Sequence, residues 1–106
     1  MKRIHIALGV ADVAASVADY PQRLGCAPDV IIPGAYALWQ TGGVNFSIRR
    51  VEAGQEGLRH LGWEDDAAAQ FQRDTDVNGI VWERFTADQQ RREIEETWPG
   101  GKGSTT

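Results

Sequence analysis

Residues 3–10 alternate between apolar and other side chains, which predicts a half-buried β-strand. The aliphatic residues of this strand fall on one face, and His5 points to the other. Asp12 is a suitable N-cap for the segment that follows, in which apolar residues recur at helical spacing until Gly25. The pattern therefore predicts one strand followed by one amphipathic helix.

Three shorter segments with the composition of strands come next, at about residues 29–32, 35–40 and 45–52. The turn sequences Pro-Gly and Thr-Gly-Gly separate them. The first fifty residues therefore predict a βαβββ module.

The second half of the chain repeats part of the first. The string HIALGVAD, which starts at His5, is similar to HLGWEDD, which starts at His60, and an aspartate suited to helix capping follows each histidine. The glycines Gly25 and Gly79 occupy matching positions farther along. We interpret this pattern as an incomplete tandem duplication.

The repeat predicts a helix over residues 67–77 and a strand over residues 80–85, equivalent to the strand over residues 29–32. Two further strands would complete the second module, but residues 86–98 begin with the capping box Thr-Ala-Asp-Gln and predict a helix. The predicted fold is α+β, with a βαβββ module, a truncated βαβ module and a C-terminal helix. We expect residues 99–106 to be a disordered tail.

The chain has 106 residues, enough for one domain with one core. We expect this single domain to contain two unequal repeats, at about residues 1–53 and 57–85, followed by the helix over residues 86–98.

Charge and composition exclude several classes of protein. Lys and Arg number 11 against 15 Asp and Glu, without a basic run, which argues against nucleic-acid or anionic-membrane partners. The weakly charged stretch from residue 24 to 48 contains prolines and glycines and is unsuited to a membrane helix. The lone Cys26 excludes an internal disulfide. We expect a cytoplasmic protein.

The string RIHIALGVADVAASVADY resembles the first strand and helix of the vicinal oxygen chelate superfamily, and RHLGWEDD resembles its fifth strand. This superfamily includes glyoxalases, extradiol dioxygenases and bleomycin-resistance proteins. The resemblance extends over residues 3–85. The strings IIPGAYALW, VNFSIRR and HLGWE are similar to the small carbon–arsenic lyase and cadmium-induced type. The resemblance implies a half-open barrel that binds one divalent metal and leaves two metal positions for adjacent oxygens of a substrate.

His5 and His60 are the only histidines in the chain, and they occupy equivalent positions of the duplication. Two imidazoles and one carboxylate that face a common cavity can hold Fe, Mn, Ni or Zn and leave positions open for a substrate. The alternative is that both histidines are ordinary strand residues and that the protein has no cofactor.

The third ligand has two candidate interpretations. The fourth-strand position, where the resembled family has a glutamate, holds Asn45, a weak neutral ligand. The string NGIVWERF resembles the closing strand of the nearer subgroup, which makes Glu83 the carboxylate ligand. The repeat, aligned through Gly79, instead places Glu83 on an outer strand as a solvated charge. The paired cysteines of the arsenic lyases are absent, so that activity does not carry over.

Four tryptophans are many for a chain of this length. Trp39 and Trp63 lie in predicted strands and are candidate substrate-binding residues that would stack on a flat ligand, with core packing as the alternative. For Trp82 and Trp98 we favour packing, because Trp98 follows Ile94 at helical spacing and would anchor an otherwise polar helix.

Three functions remain open, and none has an assigned catalytic residue. The first is a metal-dependent lyase or dioxygenase that acts on a small molecule with adjacent oxygens. The second is a metal-free small-molecule binding protein of the resistance type. The third is a non-catalytic dimerising member of the superfamily. We expect a homodimer, because the truncated second module leaves a sheet edge unpaired.

Overall fold

The computed structural model describes residues 1–100, which form seven strands and two helices. In chain order these are β1 (Lys2–Val10), α1 (Val13–Leu24), β2 (Val30–Ile32), β3 (Tyr36–Gln40), β4 (Val44–Arg50), β5 (Gly57–Asp65), β6 (Gln72–Thr75), β7 (Val81–Phe85) and α2 (Ala87–Thr97). The strands form one open sheet in the order β2-β3-β4-β1-β5-β7-β6. The predicted α+β fold, with a first βαβββ module, a half-open barrel-like sheet and a C-terminal helix, is confirmed.

Helix α1 packs against β3 and β4 on the face of the sheet that we call the outer face. Asp12 caps the helix by accepting a hydrogen bond from the backbone N–H of Ala15 at 3.0 Å. Gly25 ends the helix in the left-handed conformation, with φ of 83°, which suits a residue without a side chain. The fully buried core between α1 and the sheet consists of Val13, Ala37, Trp39 and Ile48.

Helix α2 covers part of the opposite face, which we call the inner face. Thr86 and Gln89 form the predicted capping box at its start. Ile94 and Trp98 pack against side chains of β2 and β3, and the Trp98 ring lies 4.9 Å from the ring of Tyr36. The predicted anchoring role of Trp98 is therefore confirmed.

The helix predicted over residues 67–77 is wrong, because the described chain forms turns and the exposed strand β6 there. The Asp65 carboxylate accepts the backbone N–H of Ala67 at 3.0 Å and closes a tight turn at the end of β5. The N–H of Gly79, with φ of 80°, donates to the Asp76 carbonyl at 3.1 Å in the hairpin turn that joins β6 to β7. The second module is therefore βββ and not βαβ.

Strand β7 lies parallel to β5, as β4 lies parallel to β1. The predicted equivalence of residues 80–85 with β2 is therefore wrong, since this pairing makes β7 the counterpart of β4. The register places Glu83 beside Gly62 on β5, as it places Asn45 beside His5 on β1. Glu83 thus belongs to an inner position of the module, and its interpretation as a solvated outer charge is wrong.

Two other sequence predictions concern the membrane and the chain end. Over residues 1–100, neither helix has the length and apolar character needed to cross a membrane. Most of the tail predicted to be disordered, residues 101–106, lies outside the described residues, while residues 99 and 100 form a turn after α2.

Candidate metal centre

His5, His60 and Glu83 converge on the inner face from the neighbouring strands β1, β5 and β7. The Nε2 atoms of His5 and His60 are 3.0 Å apart, and His60 Nε2 is also 3.0 Å from Glu83 Oε1. One ligand atom from each residue lies within 4.8 Å of the other two. The three side chains therefore form a group that could hold a metal ion.

The spacing of these atoms fits a common ion. Ligand atoms about 2.1 Å from one metal and about 90° apart lie about 3.0 Å from each other, as both measured pairs do. Two imidazoles and one carboxylate are the facial set that leaves further positions open on iron and similar divalent ions. The donor set and the spacing of these two pairs are therefore compatible with a divalent centre.

The surroundings of His5 prepare it as a ligand. Its Nδ1–H donates to Asn45 Oδ1 at 2.8 Å, which assigns the tautomer and leaves the Nε2 lone pair facing His60 and Glu83. Burial holds the pKa of His5 below its ordinary value, although the hydrogen bond to Asn45 acts in the opposite direction. His5 is therefore neutral near pH 7, as metal ligation requires.

Glu83 is buried, with 7% of its side chain exposed. Burial alone would raise its pKa, but the hydrogen bond and charge of His60 and the charge of Arg73 outweigh burial and lower the pKa. Arg73 Nη2 lies 3.3 Å from Glu83 Oε2, the oxygen not directed at His60. One carboxylate oxygen is thus held by an arginine while the other faces the centre.

A buried polar network fixes the position of Asn45, which is fully buried. Its amide NH₂ donates to Glu64 Oε1 and to Gln90 Oε1, each at 2.8 Å, so its oxygen must face His5. Glu64 in turn accepts a hydrogen bond from Arg3 at 2.9 Å. Residues of β1, β4, β5 and α2 thereby hold one ligand in place.

Gly62 allows β5 and β7 to bring His60 and Glu83 together. A Cβ atom at this position would collide with the backbone carbonyl of Glu83 on the neighbouring strand. Because Gly62 has no side chain, β7 can approach β5 closely at the position of Glu83, the candidate carboxylate ligand.

A cavity of about 500 Å³ opens beside the centre on the inner face. Its walls combine the three candidate ligands with aromatic and cationic side chains. The aromatic ones are Tyr36, Phe71, Phe85 and Trp98, and the cationic ones are Arg49, Arg59 and Arg73. Burial raises the pKa of Tyr36, although a hydrogen bond with Ser47 acts in the opposite direction, so its hydroxyl stays protonated.

The sequence paired His5 with His60 and left the role of Glu83 open, and the structure brings all three together. It does not bring the two candidate substrate-binding tryptophans into the cavity. Trp39 is fully buried beneath α1 on the outer face, with its indole N–H donating to the Cys26 carbonyl at 3.0 Å, so its predicted role in a ligand cleft is wrong. Trp63 is 37% exposed, lies outside the cavity and packs against the Lys2 ammonium at 5.0 Å. No single aromatic cleft contains both tryptophans.

Two buried residues of the site, Glu64 and Gln90, were missed. Gln90 has a signal in the sequence, since it precedes Ile94 by four and Trp98 by eight residues and so shares the docked stripe of α2. The burial of Glu64 has no such signal, because a glutamate in a strand is ordinarily exposed.

Comparisons with known proteins show the fold alone. No protein-family profile matches the sequence, and no curated protein matches it. The structure is similar to a crystal structure described as an NAD-dependent benzaldehyde dehydrogenase from Legionella pneumophila, with a TM-score of 0.54. The two chains are 11% identical, and the match covers 78% of this chain and 97% of the other.

Proposed function

We propose that this protein is a metal-dependent lyase or dioxygenase of the vicinal oxygen chelate kind, acting on a small molecule with adjacent oxygens. His5, His60 and Glu83 would hold a divalent Fe, Mn, Ni or Zn ion. The observation that carries the proposal is the convergence of these three side chains, with spacing suited to a metal, on the wall of an inner-face cavity.

The residues of the chain have distinct parts in this chemistry. A bound divalent ion would act as a Lewis acid that polarises the substrate oxygens. Neutral His5 presents Nε2, held in orientation by Asn45, and ionised Glu83 offsets part of the metal charge.

Aromatic rings form the wall of the cavity beside His5. The ring of Phe85 meets His5 edge-on at 4.9 Å and stacks on Phe71 at 5.3 Å. A dry apolar wall strengthens electrostatic interactions within the site.

The aromatic lining favours a second candidate, a metal-free binding protein that sequesters a small molecule. Tyr36 and Trp98 on one side and Phe71 and Phe85 on the other contribute ring atoms to the lining, and apolar linings of this kind are typical of small-molecule sites. This function requires the cavity but not the metal, so measurement of metal binding separates the two candidates.

The test is calorimetric titration of chelator-treated protein with Mn(II) and Zn(II) at neutral pH. We expect one ion per chain, loss of stoichiometric binding in His5→Ala and His60→Ala, and at least tenfold weaker binding in Glu83→Gln. Glu96→Gln, which removes an exposed carboxylate from α2, is the matched control and should bind as wild type does.

Folding of each variant is checked by circular dichroism, and His60→Gln serves if an alanine variant unfolds. Intact binding in Glu83→Gln would remove the carboxylate from the ligand set and leave the histidines. No binding of either metal by the folded wild-type protein would overturn the proposed enzyme and support the metal-free candidate.

A further inference from the structure

The cavity holds two arginines that the metal centre does not use. Arg49 on β4 and Arg59 on β5 both line it, and both side chains are partly buried. Strand β1 runs between β4 and β5, and its Gly9 pairs with Arg49. Glycine has no side chain, and the methyl groups of Val51 lie where its Cβ would be, so Val51 and not β1 forms the cavity wall at that level.

A β-bulge accounts for the position of Arg59. Ala7 pairs with His60, whereas the next residue of β1 pairs with Leu58, so Arg59 is the extra residue of β5. In a regular strand the neighbours Arg59 and His60 would point to opposite faces of the sheet. The bulge breaks this alternation, and both side chains line the same cavity.

The two arginines lack the partners that other arginines of the cavity region have. Arg73 pairs with Glu83 and Arg3 pairs with Glu64, but within residues 1–100 no carboxylate lies within 4.0 Å of the guanidinium of Arg49 or Arg59. Glu93 also lines the cavity, but its carboxylate forms an ion pair with Arg73 and with neither of these two arginines.

The ring of Trp98 orients one of these cations. The guanidinium carbon of Arg49 lies 5.2 Å from the centre of the Trp98 ring, which holds the planar group by a cation–π contact. A guanidinium held in this way keeps its N–H donors free for an oxyanion, and a carboxylate can accept two of them at once.

We propose that Arg49 and Arg59 bind a carboxylate of the substrate while the metal centre holds its adjacent oxygens. The substrate class is then a small carboxylic acid that carries two neighbouring oxygen atoms at its other end. The two neighbouring oxygen atoms in this description rest on the proposed function, because they would bind the metal. The carboxylate does not, because the arginine pair would bind it without a metal.

The experiment compares two probes on the Mn(II)-loaded protein by calorimetry. Catechol offers two adjacent oxygens, and 3,4-dihydroxybenzoate offers the same pair with an added carboxylate. We expect the carboxylate probe to bind at least tenfold tighter, and we expect Arg49→Gln or Arg59→Gln to remove most of that difference. Mn(II) affinity should stay within about twofold in both variants.

Arg50→Gln is the matched control, since it removes the same charge from the next residue of β4, which is exposed and outside the cavity. It should leave the preference for the carboxylate probe unchanged. Equal affinity of the two probes for wild-type protein, or a full preference in Arg59→Gln, would overturn the carboxylate site and leave the metal centre standing.

A second experiment distinguishes the case in which the proposed metal-dependent function is wrong but the carboxylate site is right. If the protein binds no Mn(II), benzoate is titrated into metal-free wild type, Arg59→Gln and Arg50→Gln, with amide chemical shifts as the readout. Shifts at Arg49 and Arg59 in wild type and Arg50→Gln, but not in Arg59→Gln, would support the carboxylate site without a metal enzyme. No shifts in any of the three proteins would overturn it.

Discussion

Replacement of Asn45 with alanine should destabilise the protein and loosen the metal centre together. The substitution removes the acceptor for His5 Nδ1 at 2.8 Å and the donors to Glu64 and Gln90, both also at 2.8 Å. All of these partners are buried, and each one left unsatisfied costs about 1–3 kcal/mol. We therefore expect a loss of about 4 kcal/mol in the free energy of unfolding.

A loss of that size is a large part of the stability of a domain of this length, typically about 5–15 kcal/mol. The corresponding fall in Tm is roughly 20 °C. Because His5 also loses the group that fixes its tautomer and ring orientation, we expect metal affinity to fall by about 10–100-fold.

Thermal and urea unfolding measure the first effect, and calorimetric titration below the lowered Tm measures the second. Asn78→Ala is the matched control, since Asn78 is the only other asparagine of the chain and is exposed in the turn before β7. A loss below about 1 kcal/mol in Asn45→Ala, or a similar loss in both variants, would refute the structural role of the network.

Three further predictions concern the core, pH and assembly. Trp39→Ala should cost about 3–5 kcal/mol in urea unfolding without changing metal affinity, because Trp39 lies in the core beneath α1; a loss below about 1 kcal/mol would contradict this. The indole N–H of Trp82 and backbone N–H groups hold the pKa of Asp76 below its ordinary value. The ionised Asp76 therefore stabilises the fold at pH values above the pKa that it has in the unfolded chain. This stabilisation is lost as the pH falls through the lower pKa that Asp76 has in the folded protein. An NMR titration of the Trp82 indole proton should show a midpoint below about 3.9, and a midpoint at or above that value would contradict the assignment. We expect a homodimer by light scattering, with twice the chain mass of 11.7 kDa, and a mass that stays at that of one chain at all concentrations would exclude it.

The first module could be predicted from the sequence because its signals are local. Alternation, the Asp12 cap and the Gly25 stop each specify an element, and the structure places the elements at nearly the predicted residues. The two histidines were also identifiable, since they are the only ones in the chain and repeat in register.

The elements of the second module were harder to predict from the sequence, because a glycine can either end a helix or form the turn of a β-hairpin. The sequence around Gly79 was interpreted as a helix end, whereas the Asn-Gly pair there forms a turn between strands. That error moved residues 80–85 to the wrong position in the sheet and left Glu83 with two competing interpretations.

The role of Trp39 could not be predicted for a different reason. Residues 36–39 of β3 are all buried, since α1 covers one face of the strand and α2 the other. Alternation of apolar and polar residues identifies the inward face only where the other face is exposed to solvent. Both faces of this strand are covered, so its sequence does not distinguish residues in the core from residues that face the cavity.

The position of β1 at the centre of the sheet has a consequence for how the protein is made. His5 meets Asn45, 40 residues later in the chain, and His60, 55 residues later. During synthesis β1 therefore precedes both neighbouring strands, and one of its edges stays unpaired until β4 has been made and the other until β5 has been made. Such long-range pairing slows folding, so the edges of β1 are exposed to pairing with other chains for longer than those of a local hairpin.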